Sequence, residues 1–189
     1  MPLIDEINNH YLLSLAFAKA SIPDPEQTLT RLRSVNNQAE VQLVKADLVA
    51  GSEHLRLAAL NAIYSFKGER RRAKSLAVEL LLYLSCQRQF AKAIKLLGVD
   101  PNDSRVAVVA LSGSKDVIVS LDGEAKSIIA GEQDDSLIEI GSRKKMVRLQ
   151  RSYGVTSREM DAAKLEGETD PSVLKRLIVE HSALLDIDD

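Results

Sequence analysis

Residues 106–111 read VAVVAL, and this run is the strongest indication of the fold. A short, continuous apolar stretch rich in β-branched residues is typical of a strand buried within a sheet. We therefore predict that these residues form the central strand of a small sheet.

Three predicted helices precede this strand. Ser52 is the predicted N-cap of the first, whose apolar stripe ends at Gly68. Ser75 caps the second, LAVELLLYL, which is apolar almost all round and is therefore expected to be buried. Ser85 is expected to cap the third, which Gly98 ends and whose inner stripe comprises Phe90, Ala93, Ile94 and Leu97.

Two further strands and a short helix are predicted nearer the amino terminus. Residues 10–22, HYLLSLAFAKASI, form an apolar run that we interpret as a strand. Asp24 has the character of an N-cap and Pro25 of a first helical residue, so a helix should follow as far as Val35. Residues 41–48 indicate a second, partly buried strand.

After residue 111 the sequence predicts a stretch of undecided structure, a loop and three helices. Residues 114–130 fit a helix or a strand, and the acidic stretch 122–136 is interpreted as a solvated loop. A basic helix follows over residues 142–153, and residues 156–159 form a capping box. Asp170 opens a last, amphipathic helix.

Helices outnumber strands about two to one in irregular order, which predicts an α+β fold with helices packed on a small, mostly antiparallel sheet. A length of 189 residues predicts a single domain over residues 1–189. No apolar run approaches the roughly 20 residues that span a bilayer, and the amino terminus lacks a signal peptide. With the lone Cys86, these features lead us to expect a cytoplasmic protein without membrane association.

The sequence offers little for catalysis. The three histidines lie on separate elements, no metal-ligand spacing is evident, and no phosphate-binding motif is present, so we expect no catalytic residue, metal, cofactor or small-molecule substrate. Glu79 lies inside the apolar second helix, and we expect it to meet an arginine from residues 70–72. Cys86 is placed at a helix amino terminus, which lowers a thiol pKa, but a structural thiol is the favoured interpretation.

Two basic runs stand out in a chain whose net charge is only −2. The first lies between two predicted helices, where long side chains can reach phosphates, and is the candidate RNA-binding site: Lys67, Arg70, Arg71, Arg72 and Lys74. The second is interpreted as a solvated helix face and consists of Arg143, Lys144, Lys145, Arg148 and Arg151.

The last helix carries one broad apolar stripe. Its members are the candidate partner-binding residues Leu177, Ile178, His181, Leu184 and Leu185. The alternative is that the domain's own core uses this stripe.

Residues 58–109 resemble a known family. An Ala-rich helix leads to a Gly-basic connector, then to Leu76, Glu79 and Leu84-Ser85, and then to an Ala-Ile helix that ends in Gly98. This order resembles the kinase-binding accessory subunit of the KEOPS tRNA-modification complex. Two later stretches, RLQRSYGVTSREM (148–160) and ALLD (183–186), are similar to archaeal members, whereas Asn61 departs from the expected His or Lys.

The resemblance implies a non-catalytic subunit. Members of the family bind the small atypical kinase/ATPase subunit of KEOPS and help to bring tRNA to the complex, and the archaeal subunit is implicated in holding the CCA end. The complex forms threonylcarbamoyladenosine next to the anticodon. Two alternatives remain open from the residues: a stand-alone small enzyme that uses Glu79 and Cys86, and a DNA-binding regulator that places helix 143–151 in a major groove.

Overall fold

A computed structural model of the chain describes residues 3–68 and 71–186. Within these residues the strands, in chain order, are β1 (Leu3–Ile7), β2 (His10–Ser21), β3 (Glu40–Lys45), β4 (Val106–Ser112) and β5 (Ala130–Gln133). They form one sheet in the order β1-β2-β4-β3, and β5 pairs with β2 beyond the end of β1. The strand pairings are antiparallel.

The predicted central strand is confirmed. β4 lies between β2 and β3, and each of its residues is buried. Successive strand side chains point to opposite faces, so Ala107, Val109 and Leu111 join the core on one face of the sheet. Their neighbours on the strand join a second core on the other face, namely Val106, Val108 and Ala110. Helices must therefore cover the sheet on both sides.

The helices, in chain order, are α1 (Pro25–Val35), α2 (Ser52–Lys67), α3 (Leu76–Ser85), α4 (Phe90–Leu97), α5 (Lys115–Ile128), α6 (Arg143–Tyr153), α7 (Ser157–Ala163) and α8 (Asp170–Ala183). Helices α2 and α3 cover one face of the sheet and α1 and α5 the other. A third cluster joins α6, α7 and α8. The predicted α+β fold is confirmed, and none of the described helices is long and apolar enough to cross a membrane.

Three of the predicted side-chain caps are formed, whereas Ser52 is the first residue of α2 and the N-cap is Gly51, without a side-chain bond. Asp24 accepts a hydrogen bond from the Gln27 amide at the start of α1, and Ser75 accepts one from the Val78 amide at the start of α3. The capping box at the start of α7 is also formed, because Thr156 and Glu159 satisfy each other's backbone amides.

The prediction for the third helix is wrong at its start and on part of its inner face. Ser85 is the last residue of α3, where its hydroxyl donates to the Leu82 carbonyl at 3.0 Å, and α4 begins only at Phe90. Ala93 is buried, as expected, whereas Phe90 and Ile94 are 51% and 41% exposed. A helix of two turns at the margin of the fold buries only a narrow strip, so its outer apolar residues stay in solvent.

The acidic stretch 122–136 is not a loop. It contains the end of α5, strand β5 and the start of a 3-10 turn, Asp135–Ile138. The residues of β5 are exposed, and this strand is held by backbone pairing with β2. Backbone hydrogen bonds do not depend on whether the side chains are polar, so the acidic composition alone favoured a loop.

His54 is a buried histidine near the start of α2. Its Nδ1 accepts a hydrogen bond from the Ala50 amide at 3.2 Å, and its ring meets the Tyr153 ring edge-on at 5.6 Å between centroids. Burial lowers the pKa of His54 from its ordinary value of 6.5 to about 3. The folded protein therefore keeps this imidazole neutral at pH values at which the unfolded chain protonates it.

We predict that His54 makes the protein acid-sensitive. Between pH 6.5 and about 3 the unfolded state binds a proton that the folded state does not, so the free energy of unfolding falls as the pH falls. From pH 6.5 to pH 4 the wild type should lose about 2 to 3 kcal/mol more than His54→Gln, as measured by urea denaturation. His10→Gln, at a less buried site, is the control. Parallel profiles for wild type and His54→Gln would contradict this origin.

Candidate functional site

Glu79 fixes Arg72 and Ala73 in the connector, the segment of residues 67–75 that runs from the last residue of α2 to the N-cap of α3. The side chain is fully buried in the first turn of α3. Its carboxylate accepts hydrogen bonds from the Ser65 hydroxyl at 2.7 Å and from the backbone amides of Arg72 and Ala73 at 3.2 and 2.8 Å. A buried carboxylate is stable only when such donors surround it, so the connector is held against α3. The sequence predicted an arginine partner, and here the backbone of Arg72 supplies one of the bonds.

Arg72 points into the protein. Its guanidinium donates to the Tyr83 hydroxyl at 3.2 Å and to the Leu185 carbonyl at 2.7 Å. The Arg88 guanidinium donates to the same carbonyl at 3.2 Å, so two arginines hold the chain just after α8. Of the five cations predicted to contact RNA, Arg72 is therefore engaged within the fold.

The remaining described cations of the connector are exposed. Arg71 lies over the Phe66 ring, with its guanidinium carbon 4.1 Å from the ring centroid, and its Nε donates to the Ala73 carbonyl at 2.7 Å. Lys67 and Lys74 are exposed on either side. Arg70, the other predicted member of this site, lies outside the described residues.

Most of the apolar stripe of α8 belongs to the core. Ile178 is fully buried, and Leu177 and Leu185 are each only 8% exposed. Leu184 is 45% exposed, and His181 is half-buried beside it. These two residues line a surface cavity of about 260 Å³, with Cys86, Gln87, Arg88, Tyr153 and Leu185 as the other lining residues. Of the five predicted partner-binding residues, three are therefore in the core, and Leu184 and His181 lie at the surface.

Cys86 is not at a helix amino terminus. It ends α3 in a left-handed conformation with φ of 53°, and its Sγ lies 3.5 Å from the Ile178 carbonyl oxygen. Burial raises the pKa of the thiol to about 12. The thiol is therefore protonated at neutral pH, which fits a structural role and gives no nucleophile.

The basic helix α6 is only partly solvated, contrary to the prediction. Arg143, Lys144, Arg148 and Arg151 are exposed, but Lys145 is buried. Its ammonium group donates to the carbonyls of Ala46, at 3.0 Å, and of Leu137. Lys145 lies four residues before the buried Leu149, and this helical spacing is the signal by which the sequence could have placed it on the inner face.

Among the described residues no group of three or more His, Cys, Asp or Glu side chains is arranged to hold a metal ion. The sites that the structure does bring out are a connector with exposed cations, a surface at the end of α8, and a basic face on α6. These are features suited to binding.

The sequence matches the family model of kinase binding protein CGI-121 over residues 20–186. The chain belongs to this family. A CGI-121 relative, the regulatory protein Cgi121 of Methanocaldococcus jannaschii, is 33% identical over 103 residues. The match covers 54% of the present chain and 63% of that relative, so it spans less than two thirds of the relative's length. The resemblance inferred from residues 58–109 is confirmed at the level of the family.

We predict that Glu79 is structural. Glu79→Ala leaves two backbone amides and a hydroxyl without their buried acceptor, which should lower the free energy of unfolding by about 2 to 4 kcal/mol. Trypsin should then cleave after the basic residues of the connector, Lys67 to Lys74, faster than in wild type. Urea denaturation and timed proteolysis measure the two effects.

The matched control is Glu166→Ala, which removes an exposed carboxylate. Glu79→Gln keeps one acceptor oxygen, so its free energy of unfolding should lie between those of Glu79→Ala and Glu166→Ala. Wild-type stability of Glu79→Ala would show that the carboxylate does not hold the connector.

Proposed function

We propose that this chain is a non-catalytic subunit that binds a small atypical protein kinase/ATPase and the CCA end of tRNA, and that it thereby supports threonylcarbamoyladenosine formation in a KEOPS complex. Membership of the CGI-121 family carries the kinase-binding part of the proposal, because that family is described as kinase-binding. The exposed cations of the connector support the tRNA-binding part. The carboxylate of Glu79 is bonded to donors of the fold, and burial raises the pKa of the Cys86 thiol. Both observations favour a binding role over the alternative of a small enzyme. The alternative of a DNA-binding regulator would use α6, whose Lys145 is buried and bonded within the fold.

The surface at the end of α8 is the proposed kinase contact. Leu184 and His181 are the members of the predicted set that a partner could reach, since the other three are buried in the core. A large exposed leucine beside an open cavity suits an apolar side chain from a partner. Two arginine bonds to the Leu185 carbonyl hold this surface in place before binding, which limits the entropy lost in the complex.

We predict that Leu184→Asp weakens kinase binding at least about tenfold, because it places a charge where an apolar contact forms. Titration calorimetry with the purified kinase measures the dissociation constant. Leu165→Asp is the matched control, since Leu165 is 65% exposed on the segment between α7 and α8. Unchanged binding by a folded Leu184→Asp variant would remove this surface from the interface.

The connector is the proposed RNA contact. Lys67, Arg71 and Lys74 are exposed. Glu79 accepts hydrogen bonds from the backbone amides of Arg72 and Ala73, so the backbone between Arg71 and Lys74 is fixed. Arg71 already stacks on the Phe66 ring, and unpaired nucleotides bind such cation and aromatic surfaces. The CCA end of tRNA is single-stranded, so it can supply both a phosphate chain and free bases.

We predict that Lys67/Arg71/Lys74→Ala weakens binding to all tRNAs and flattens its salt dependence. Each phosphate contact to a single strand contributes a slope of roughly 0.7 in a plot of log K against log salt, so the loss of three should reduce the slope by about two. Filter binding at several salt concentrations measures it. Removal of the CCA end should cost affinity in wild type and much less in the variant.

Two controls separate local contacts from general charge. Lys92/Lys95/Lys115→Ala removes three exposed cations elsewhere and should leave the slope near that of wild type. Arg72→Ala should destabilise the fold, because its guanidinium bonds Tyr83 and Leu185 in other elements, and it therefore cannot report on RNA contact. Among the described residues, the Arg71 guanidinium bonds only the Ala73 and Lys74 carbonyls of the connector itself. Equal effects of the two triple variants would show that binding depends on total charge.

A further inference from the structure

We propose that a second site, at the amino-terminal end of α6, binds a phosphate group. The site is a pocket of about 130 Å³ between α6 and the residue that precedes β4. Its lining consists of Asp47, Arg105, Ser142, Lys144, Lys145 and Arg148. The proposal goes beyond kinase and CCA-end binding, since none of these residues belongs to the connector or to the surface at the end of α8.

The pocket has more positive than negative charge. Asp47 is its one carboxylate, and it pairs with Arg148 at 2.6 Å and with Arg105 at 3.1 Å. One carboxylate neutralises only one of the two guanidinium groups. Lys144 is exposed and makes no ion pair within the described part of the chain. Even without Lys145, three cations therefore face one carboxylate in this pocket.

The two arginines are held in position but keep free donors. Asp47 contacts one terminal nitrogen of each guanidinium, which leaves the other N–H groups available to phosphate oxygens. The backbone of Arg105 is also fixed, because its carbonyl accepts a hydrogen bond from the Ala46 amide at 3.1 Å. A carboxylate that positions two arginines makes a preorganised site, although it also competes with the anion for them.

The first turn of α6 carries positive charges, which are unfavourable at the amino-terminal end of a helix. Acidic residues are favoured in a first turn, where the helix dipole is positive, yet α6 begins Arg143-Lys144-Lys145 and has no acidic residue there. Ser142 caps only the Lys145 amide. A bound anion would offset both the dipole and the positive charge of Lys144, and first-turn amides are common phosphate ligands.

The site lies far from the connector. The Ser52 amide, at the start of α2, donates to Glu139 at 2.9 Å, and Glu139 follows the 3-10 turn whose Leu137 carbonyl accepts from Lys145. The connector begins at the other end of this 16-residue helix, about 24 Å away along its axis. A shallow basic surface continues from the pocket along α6, past Arg148 to Arg151. The phosphate could thus come from a free anion or nucleotide, or from an RNA backbone that follows this surface.

Phosphate titration of the full chain, followed by amide NMR shifts at constant ionic strength, tests the site. We expect saturable shifts at residues 142–145 with inorganic phosphate and not with chloride. Lys144→Gln removes an exposed cation with no internal bond, and should weaken phosphate binding about tenfold. Arg151→Gln, on the same helix but outside the pocket, is the matched control and should retain wild-type phosphate affinity.

A second titration, with a short single-stranded RNA, distinguishes the sources. If the amides shift with RNA but not with inorganic phosphate, and Lys144→Gln abolishes the shift, the ligand is a backbone phosphate and the site stands. Equal responses to chloride and phosphate, or no shift with either probe, would overturn it. The connector variant Lys67/Arg71/Lys74→Ala should leave phosphate titration unchanged, so failure of the connector proposal is seen separately.

Discussion

The buried carboxylate of Glu79 is the interaction on which the candidate sites most depend. It joins α2 through Ser65 to the connector through two backbone amides, all at the first turn of α3. Arg72 continues this linkage, because the residue whose amide Glu79 holds also bonds the Leu185 carbonyl. The connector and the end of α8 are therefore parts of one hydrogen-bonded unit, and a disturbance of either is expected to reach the other.

The sequence predicted several elements whose determinants are local. The continuous apolar run of β4 and the caps Asp24, Ser75 and Thr156 depend on neighbours within a few residues, and the structure confirms them. Arg71 and Arg72 illustrate the opposite case. They are adjacent and chemically identical, yet one is exposed and the other bonds a carbonyl 113 residues away. No property of a basic run distinguishes its members when the distinction is made by a distant partner.

The apolar stripe of α8 shows how a correct periodicity can still misplace a residue. The spacing of Leu177, Ile178 and Leu184 assumes a continuous α-helix with 3.6 residues per turn. The α-helix ends at Ala183, and Leu184–Asp186 form a 3-10 turn with about 3.0 residues per turn. The regular α-helical spacing therefore stops just before Leu184. Leu185 is 8% exposed and packs in the core, whereas Leu184 is 45% exposed beside the cavity.

The charge distribution bears on how far the two basic sites can act together. A net charge of −2 provides no general attraction for a polyanion, so binding must arise where cations are concentrated. At physiological ionic strength the Debye length is about 8 Å, whereas α2, which runs from the residue that bonds Glu139 to the connector, is itself about 24 Å long. Each site is thus electrostatically independent of the other in solution. Coupling between them would require a single ligand long enough to contact both ends of α2, and a free phosphate or a CCA trinucleotide held at the connector would leave the α6 pocket unaffected.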